Sequence, residues 1–312
     1  MRLLFCGTPT FAVPTLKHLL AQPDFQIAAV ITQPDRPRGR GHDVSFSPVK
    51  EAALAATIPV FQPDKIRTSE SEHFLRATDA DAIVIIAYGQ IIPARLLSIP
   101  RLGWINLHAS LLPKYRGAAP IQWAIAKGES ITGITTMRID AGMDSGDILL
   151  KREISIGPTE TTPQLAERLS EQGAAVMAET LRGLRDNTVQ PQPQDHSAAT
   201  LAPLLKKKDG QINWQYPAQF IYNRMRGFAP WPGAYSHFRG TPCHLFGQPV
   251  SNSFGAEAVG QIRYDGKNLL VACGQQSFLQ VSHVKLEGRK QVSAVDFANG
   301  ARVRSGEHFG DL

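Results

Sequence analysis

The sequence contains few cysteines and no long apolar run, and each shortage excludes a class of protein. Its three cysteines, Cys6, Cys243 and Cys273, are odd in number and widely spaced, which argues against a disulfide framework and against a zinc site. No window approaches the roughly eighteen consecutive apolar residues of a membrane-spanning helix. The N-terminus reaches a glycine turn after the strand-like RLLFC, unlike a signal peptide. We therefore expect a cytoplasmic protein that holds no metal and is not bound to a membrane.

The sequence also lacks the short motifs that mark several enzyme classes. No GxxxxGK[ST] or GxGxxG stands between a strand and a helix, HExxH is absent, and no internal repeat is evident. These absences exclude the signatures of nucleoside-triphosphate enzymes, dinucleotide enzymes and zinc peptidases.

The excess positive charge lies entirely in the C-terminal third of the chain. The formal net charge is +6, yet residues 1–205 contain 20 basic and 20 acidic side chains, whereas residues 206–312 contain 13 basic and 7 acidic ones. Lysine and arginine neutralise phosphates and steer association with nucleic acids. The sequence therefore predicts a phosphate-rich partner for this third, although a solvated basic surface would have the same composition.

The chain of 312 residues contains two patterns of strands, one in each part of the sequence. Up to about residue 187, short apolar strands such as DAIVIIA alternate with helices, which predicts an α/β domain with a mostly parallel sheet and helices on both faces. GESITGITTMRID and GDILLKREISI read as adjacent strands, and TTPQLAERLSEQGAAVMAETLRGL as a long amphipathic helix. Residues 188–205, rich in Gln and Pro, predict an extended linker. Short glycine-punctuated strands in residues 206–312 predict a small antiparallel barrel.

The stretch NLHASLLPKYRGAAP places polar side chains at the end of one of these strands. Asn106 and His108 are two residues apart, so on an extended segment they project from one face, whereas Ile105 and Leu107 project from the other. An amide and an imidazole side by side are parts of an acyl-transfer site. Each of them alone is more often a structural or surface residue.

The loop DAGMDSGD supplies three carboxylates, Asp140, Asp144 and Asp147. We expect it at the same rim of the sheet as His108 if the two parent strands are neighbours. A carboxylate orients an imidazole and favours its charged form, while an amide donates to a developing oxyanion. Aspartates in a Gly-rich turn also cap backbone amides.

NLHASLLPKYRGAAPIQWAI together with DAGMDSGDI resembles the 10-formyltetrahydrofolate-dependent formyltransferases. FCGTPTFAVPTL, TQPDRPRGRG, SPVK, VFQPDKI, AYGQIIP and GFAPWPGAYS, in this order, resemble the members that act on methionyl initiator tRNA. The resemblance implies a Rossmann-like catalytic domain, a linker and an open β-barrel of the OB type that holds tRNA. It also implies 10-formyltetrahydrofolate as the formyl donor, methionyl initiator tRNA as the acceptor, no metal and a monomeric protein.

The resemblance also implies roles for individual residues. Asn106 and His108 would stabilise the oxyanion, while Asp144 would hold His108 and assist removal of a proton from the attacking amine. Seven residues match the segments that line the folate site: Ser110, Leu111, Leu112, Pro113, Ala87, Tyr88 and Gly89.

In that family the loop of residues 32–47 enters the tRNA acceptor stem, where Arg40 aligns with a functionally important arginine and Arg36 and Arg38 add charge. Lys206, Lys207 and Lys208 stand where the linker enters the barrel, and from this position we expect them to bind tRNA as one wall of a basic channel. The prolines and glycines of residues 32–47 predict a loop without regular structure. We expect Arg224 and Arg226 to complete a basic channel beside the three lysines, and Trp231 and Tyr235 to pack at the mouth of the barrel rather than stack on bases.

Two other functions are compatible with parts of this sequence. A formyltransferase for an aminosugar nucleotide or a purine-pathway ribonucleotide would share the catalytic residues, but the basic C-terminal third argues against both. A non-catalytic tRNA-binding protein on the same scaffold would not need Asn106, His108 and Asp144.

Overall fold

A computed structural model describes residues 1–38, 43–250 and 257–310 of the chain, without the side chains of residues 37, 38, 43 and 44. The chain forms two compact units. The first contains residues 1–120, 131–155 and 164–203, and the second contains residues 121–130, 156–163 and 204–312. No helix of the described residues is both long enough and apolar enough to cross a lipid bilayer. Cys6, Cys243 and Cys273 are buried free thiols.

The first unit is built on a sheet of seven strands in the order β5-β2-β1-β6-β7-β8-β9. Its strands are β1 (Arg2–Gly7), β2 (Gln26–Ile31), β5 (Val60–Phe61), β6 (Ala82–Ile86), β7 (Trp104–His108), β8 (Ile131–Arg138) and β9 (Ile148–Ser155). The pairs from β5 to β7 are parallel, whereas β7–β8 and β8–β9 are antiparallel. The predicted mostly parallel sheet is confirmed, as is the adjacency of the two strands around the aspartate loop.

Helices cover both faces of this sheet. They are α1 (Val13–Leu20), α2 (Pro48–Ala55), α3 (Ser69–Thr78), α4 (Ala94–Leu97) and α6 (Thr162–Arg185), and α5 (Pro120–Ala126) begins where this unit ends. On one face Leu4, Ile83 and Trp104 form a core with Leu75 of α3 and Leu96 of α4. On the other face α6 approaches the sheet so closely that a Cβ on Gly173 would lie 2.8 Å from Leu107. Alternate residues of β7 therefore enter different cores.

Residues 36–38 and 43–45 form a short ribbon where we predicted irregular structure; residues 39–42 of that predicted loop lie outside the described residues. Strands β3 (Arg36–Arg38) and β4 (Asp43–Ser45) pair antiparallel. The prediction was wrong because proline only removes a hydrogen-bond donor; its φ fits an extended strand, and a ribbon of two strands has open edges where no donor is required.

The segment predicted as an extended linker is extended, and it lies against the first unit. The backbones of Ile148 and Gln192 exchange two hydrogen bonds of 2.8 Å. Further on, the amide of Arg116 donates to the carbonyl of Thr200 at 2.8 Å, and the amide of Ala202 donates back to Arg116 at 2.7 Å. Residues up to 203 thus extend the structure of the first unit.

The second unit contains an antiparallel sheet in the order β10-β11-β14-β13-β12, with β15 beside β14. Its strands are β10 (Tyr235–Phe238), β11 (Thr241–Val250), β12 (Ile262–Tyr264), β13 (Leu269–Cys273), β14 (Ser277–Leu286) and β15 (Val292–Ser293), with helices α7 (Ala218–Gly227) and α8 (Ala294–Gly300). Residues 308 and 309 bridge its two ends, because His308 pairs with Gln261 and Phe309 with Phe238. The sheet therefore curls into the barrel-like form that the sequence predicted.

Candidate active site

Strand β7 places Asn106 and His108 on the same face of the sheet, as the alternation predicted. Trp104, two residues earlier, lies in the core beneath α3 and α4, whereas Leu107 faces α6. His108 is only 6% exposed, and Asn106 is half-buried. Within the described residues the side-chain amide of Asn106 makes no hydrogen bond, so its N–H groups are available to donate.

The segment after β7 folds back over the strand and holds His108 in place. Nε2 of His108 lies 2.9 Å from the carbonyl oxygen of Tyr115, to which it donates. Thr135 of β8 fixes the start of the same segment, because its hydroxyl donates to the carbonyl of Ser110 at 2.7 Å and accepts from the amide of Leu112 at 3.1 Å. The imidazole is therefore oriented by backbone and not left to rotate.

Asp144 contacts His108, although the direction of strand β8 alone would not place it there. Strand β8 runs antiparallel to β7, so Arg138 at its end pairs with Ile105, while His108 pairs with Thr135. Three residues of strand span about 10 Å. The loop after β8 thus leaves the sheet toward the start of β7, not at the rim of His108. Our expectation of a shared rim was wrong, because it did not take strand direction into account.

The loop nevertheless returns far enough to bring the two side chains together. Oδ2 of Asp144 lies 3.6 Å from Nδ1 of His108, an ion-pair distance. The same oxygen accepts the backbone N–H of Gly117 at 2.8 Å. Asp144 itself adopts a left-handed φ of 50°, which aspartate tolerates better than most residues. Both ring nitrogens of His108 thus face acceptor oxygens.

The other two aspartates of the loop have different surroundings. Asp140 accepts from the amide of Gly142 at 3.0 Å and from the hydroxyl of Ser145 at 2.9 Å, so its predicted capping role is confirmed. Asp147 contributes its backbone carbonyl to Arg138 at 2.9 Å, and its carboxylate caps no amide within the described residues.

The residues predicted to line a folate site fall into two groups. Ser110 and Leu112 are fully buried; the Ser110 hydroxyl donates to the carbonyl of Lys114 at 2.6 Å, and Leu112 packs with Met137 and Ile148. Leu111 lies over Gly133 of β8, and Pro113 is half-buried. The side chains of Ser110 and Leu112 therefore serve the fold, whereas those of Leu111 and Pro113 are half-buried.

Ala87, Tyr88 and Gly89 follow the end of strand β6. Ala87 and Gly89 are exposed and adopt left-handed φ values of 48° and 88°, while Tyr88 is 2% exposed. Burial raises the pKa of Tyr88 well above its usual range. Tyr88 and Gly89 border a cleft of about 730 Å³ whose lining includes Gln33, Lys65 and Arg67. The cleft lies beyond the carboxyl ends of β2 and β6, which flank β1, where ligands bind in sheets of this kind.

The predicted tRNA contacts are less completely described. Arg36 is exposed and borders the same cleft, Arg38 belongs to β3, and Arg40 lies outside the described residues. In the second unit Lys206, Lys207 and Lys208 are all exposed.

Arg224 adjoins the three lysines, whereas Arg226 does not: Arg224 donates to the carbonyl of Asp209 at 2.7 Å and borders one pocket together with Lys208. Arg226 is 7% exposed and donates to the carbonyls of Gly157 and Glu160, and Arg224 lies 4.7 Å from the ring centroid of Phe228. Burial lowers the pKa of both guanidinium groups. For Arg226 the prediction was wrong, because a basic residue on a helix such as α7 gives no sign of which face is buried.

Trp231 and Tyr235, which we predicted to pack at the mouth of the barrel, differ in how far they are exposed. Trp231 is 56% exposed, so its predicted packing role is wrong, whereas Tyr235 is half-buried beside His244.

In the part of the chain that the structure describes, no group of three or more His, Cys, Asp or Glu side chains is arranged to hold a metal ion.

Two family models together match most of the chain. Residues 1–181 match the formyl transferase family, and residues 204–302 match the formyl transferase C-terminal domain. The chain belongs to the formyl transferase family. The methionyl-tRNA formyltransferase of Solibacter usitatus is 52% identical over 312 residues, which are 100% of this chain and 99% of the relative. That of Geobacter metallireducens is 47% identical over 99% of both chains.

Solved structures of the formyl transferase fold are more distant in sequence. An N-formyltransferase from Helicobacter canadensis, in complex with folinic acid and dTDP-3-aminofucose, has a TM-score of 0.66 and 18% identity, covering 89% of this chain and 98% of that one. This likeness shows a shared fold. Sequence reasoning missed the backbone carbonyl of Tyr115, the backbone amide of Gly117 and the hydroxyl of Thr135, which hold His108, Asp144 and the segment after β7.

Proposed function

We propose that this formyl transferase moves the formyl group of 10-formyltetrahydrofolate to the amino group of methionyl initiator tRNA, giving N-formylmethionyl-tRNA. The observation that carries the proposal is full-length identity of about one half to relatives named methionyl-tRNA formyltransferase. The contact of His108 with Asp144 supports a catalytic role, because a protein that only binds tRNA has no use for it.

The chemistry requires stabilisation of one negative charge and removal of one proton. The amine attacks the formyl carbon, the carbonyl oxygen becomes an oxyanion, and the C–N bond to the folate nitrogen then breaks as the new amide forms, with the proton that the amine loses ending on the folate nitrogen. The free amide N–H groups of Asn106 would donate to the oxyanion, and His108, held between Tyr115 and Asp144, would stabilise it through the positive charge of its imidazolium. Asp144, 3.6 Å from the imidazole, would stabilise its charged form and assist loss of the proton from the amine.

The surface beside Asn106, His108 and Asp144 suits the folate donor. The left-handed conformations of Ala87 and Gly89 leave their backbone exposed, and Ile91 beside them is 90% exposed. An exposed backbone beside an apolar side chain fits a flat heterocycle with amide-like edges. Lys65 and Arg67 at the neighbouring cleft would attract the carboxylates of the glutamate tail.

For the acceptor, we assign tRNA binding to residues 206–312, with residues 1–187 as the catalytic domain and 188–205 between them. Lys206, Lys207 and Lys208 are exposed, and phosphate neutralisation by such lysines makes binding depend on salt. Trp231 is exposed in the same unit and is suited to stack on a base. In the first unit, Arg36 and the arginines at 38 and 40 would meet the acceptor stem.

The decisive experiment measures transfer of a labelled formyl group from 10-formyltetrahydrofolate to methionyl initiator tRNA. We expect N-formylmethionine after deacylation, and no product with free methionine or with uncharged tRNA. Asn106→Ala serves as the matched variant, with a rate lower by about 100 to 1,000 fold because one oxyanion donor is lost. Transfer to an amino-sugar nucleotide instead of methionyl-tRNA would refute the assigned acceptor.

A further inference from the structure

Gln194 uses its whole side chain to connect the two segments that hold His108 and Asp144. Its Nε2 donates to the carbonyl of Asp144 at 2.9 Å and to the carbonyl of Gly146 at 2.7 Å. Its Oε1 accepts from Arg116, from Nε at 3.1 Å and from a terminal nitrogen at 2.6 Å. A glutamine amide has two donors and two acceptor sites, so every one of them is occupied.

The orientation of this amide is fixed by its partners. Carbonyl oxygens only accept and a guanidinium only donates, so the nitrogen of Gln194 must face the aspartate loop and the oxygen must face Arg116. Gln194 is 6% exposed and Arg116 8% exposed. Buried hydrogen bonds of this kind are costly to break, because the remaining partners are left without water.

The aspartate loop needs such a support, because its own strands do not determine where Asp144 lies. Strand β8 ends beside Ile105, about three residues of strand from His108, and the loop has to return along the face of the sheet. Gln194 holds this loop by its backbone at residues 144 and 146. Arg116, on the other side of Gln194, adjoins Tyr115, whose carbonyl accepts from His108, and Gly117, whose amide donates to Asp144.

We propose that Gln194 is a positioning residue for the His108–Asp144 pair, and that the segment 188–203 thereby forms part of the active site. The inference rests on the proposed function, since it assumes that the pair acts in formyl transfer. Gln194 acts through the loop backbone and touches no reacting atom. Without its donors, the carbonyls of Asp144 and Gly146 lose their partners and the carboxylate moves away from the imidazole.

Gln194→Glu separates positioning from folding. A glutamate keeps an acceptor for Arg116, but its other oxygen faces the two loop carbonyls and repels them. We expect the variant to stay folded with a lowered melting temperature, because two buried hydrogen bonds are lost, while kcat for formyl transfer falls by about 100-fold, the effect of a displacement of roughly 1 Å. KM for methionyl-tRNA should stay unchanged. Gln192→Glu is the matched control, because Gln192 lies two residues away with an exposed side chain, and it should behave as the wild type.

A double-mutant cycle tests whether Gln194 acts through Asp144. Combined with Asp144→Asn, Gln194→Glu should add almost no further loss of kcat, because the carboxylate it positions is already gone. Multiplied losses, or wild-type kcat in folded Gln194→Glu, would overturn the inference. So would loss of folding in both Gln194→Glu and Gln194→Leu, since the residue would then serve the fold alone. The proposed function is tested separately by wild-type turnover and by Asp144→Asn in the same assay.

Discussion

Replacement of Asp144 by asparagine removes the charge that faces His108 and preserves the shape of the loop. The amide oxygen of asparagine still accepts from the N–H of Gly117, which is 2.8 Å from Oδ2 in the wild type. The separation of 3.6 Å from the imidazole corresponds to about 4 to 5 kcal/mol at an effective dielectric constant of ~20. Because the carboxylate is 21% exposed, we reduce this to about 3 kcal/mol, or roughly a 100-fold slower step.

Single-turnover formylation with enzyme in excess measures this step without product release. We expect Asp144→Asn to slow it by about 100-fold with little change in the melting temperature. The control is Asp140→Asn, which weakens the bonds of Asp140 to Gly142 and Ser145 and should lower the melting temperature while transfer stays near the wild-type rate. If Asp140→Asn stops turnover and Asp144→Asn stays active, the carboxylate partner of His108 has been wrongly assigned.

Three further predictions concern tRNA binding, pH and backbone. Replacing lysines 206–208 together by alanine should reduce the slope of log Kd against log salt by about two to three, whereas Lys267→Ala, in the exposed hairpin of the same unit, should leave it unchanged; equal slopes in the triple variant and the wild type would refute the assigned surface. Arg182 holds the pKa of Asp24 well below its usual range, so this pair stabilises the fold at neutral pH and less as the pH falls below about 4. The melting temperatures of wild type and Asp24→Asn should therefore converge in acid, and a constant difference would contradict this. Gly117→Ala should lower both stability and turnover, because φ is +118° and the new Cβ would lie 2.8 Å from a backbone oxygen; unchanged melting and kcat would count against it.

The sequence predicts those parts of the site that depend on local geometry. Alternation along β7 was enough to place Asn106 and His108 on one face, because side chains of a strand alternate irrespective of the rest of the fold. The position of Asp144 could not be predicted in this way. It depends on the antiparallel direction of β8 and on backbone contacts with Gly117 and Gln194, and none of these leaves a periodic signal in the sequence.

Composition was a poor guide where charged or aromatic residues have two possible uses. Arg226 and Lys207 contribute equally to the net charge, yet the guanidinium satisfies buried carbonyls and the ammonium is exposed. Trp231 is exposed, although tryptophan usually packs. Only tertiary contacts distinguish these uses. The low-complexity segment around Gln194 likewise looked like a spacer, because a single buried glutamine among exposed ones does not change the composition.

The two edge strands of the first sheet are poorly suited to pair with another chain. An outer strand offers unpaired backbone groups to which another chain can add a strand. At one end β5 has only two residues, too few to serve as a template. At the other, β9 carries the exposed charges of Lys151, Arg152 and Glu153, and Gln192 occupies the backbone groups of Ile148. A second chain that aligned with β9 would have to bury three charges, so edge-to-edge aggregation is disfavoured.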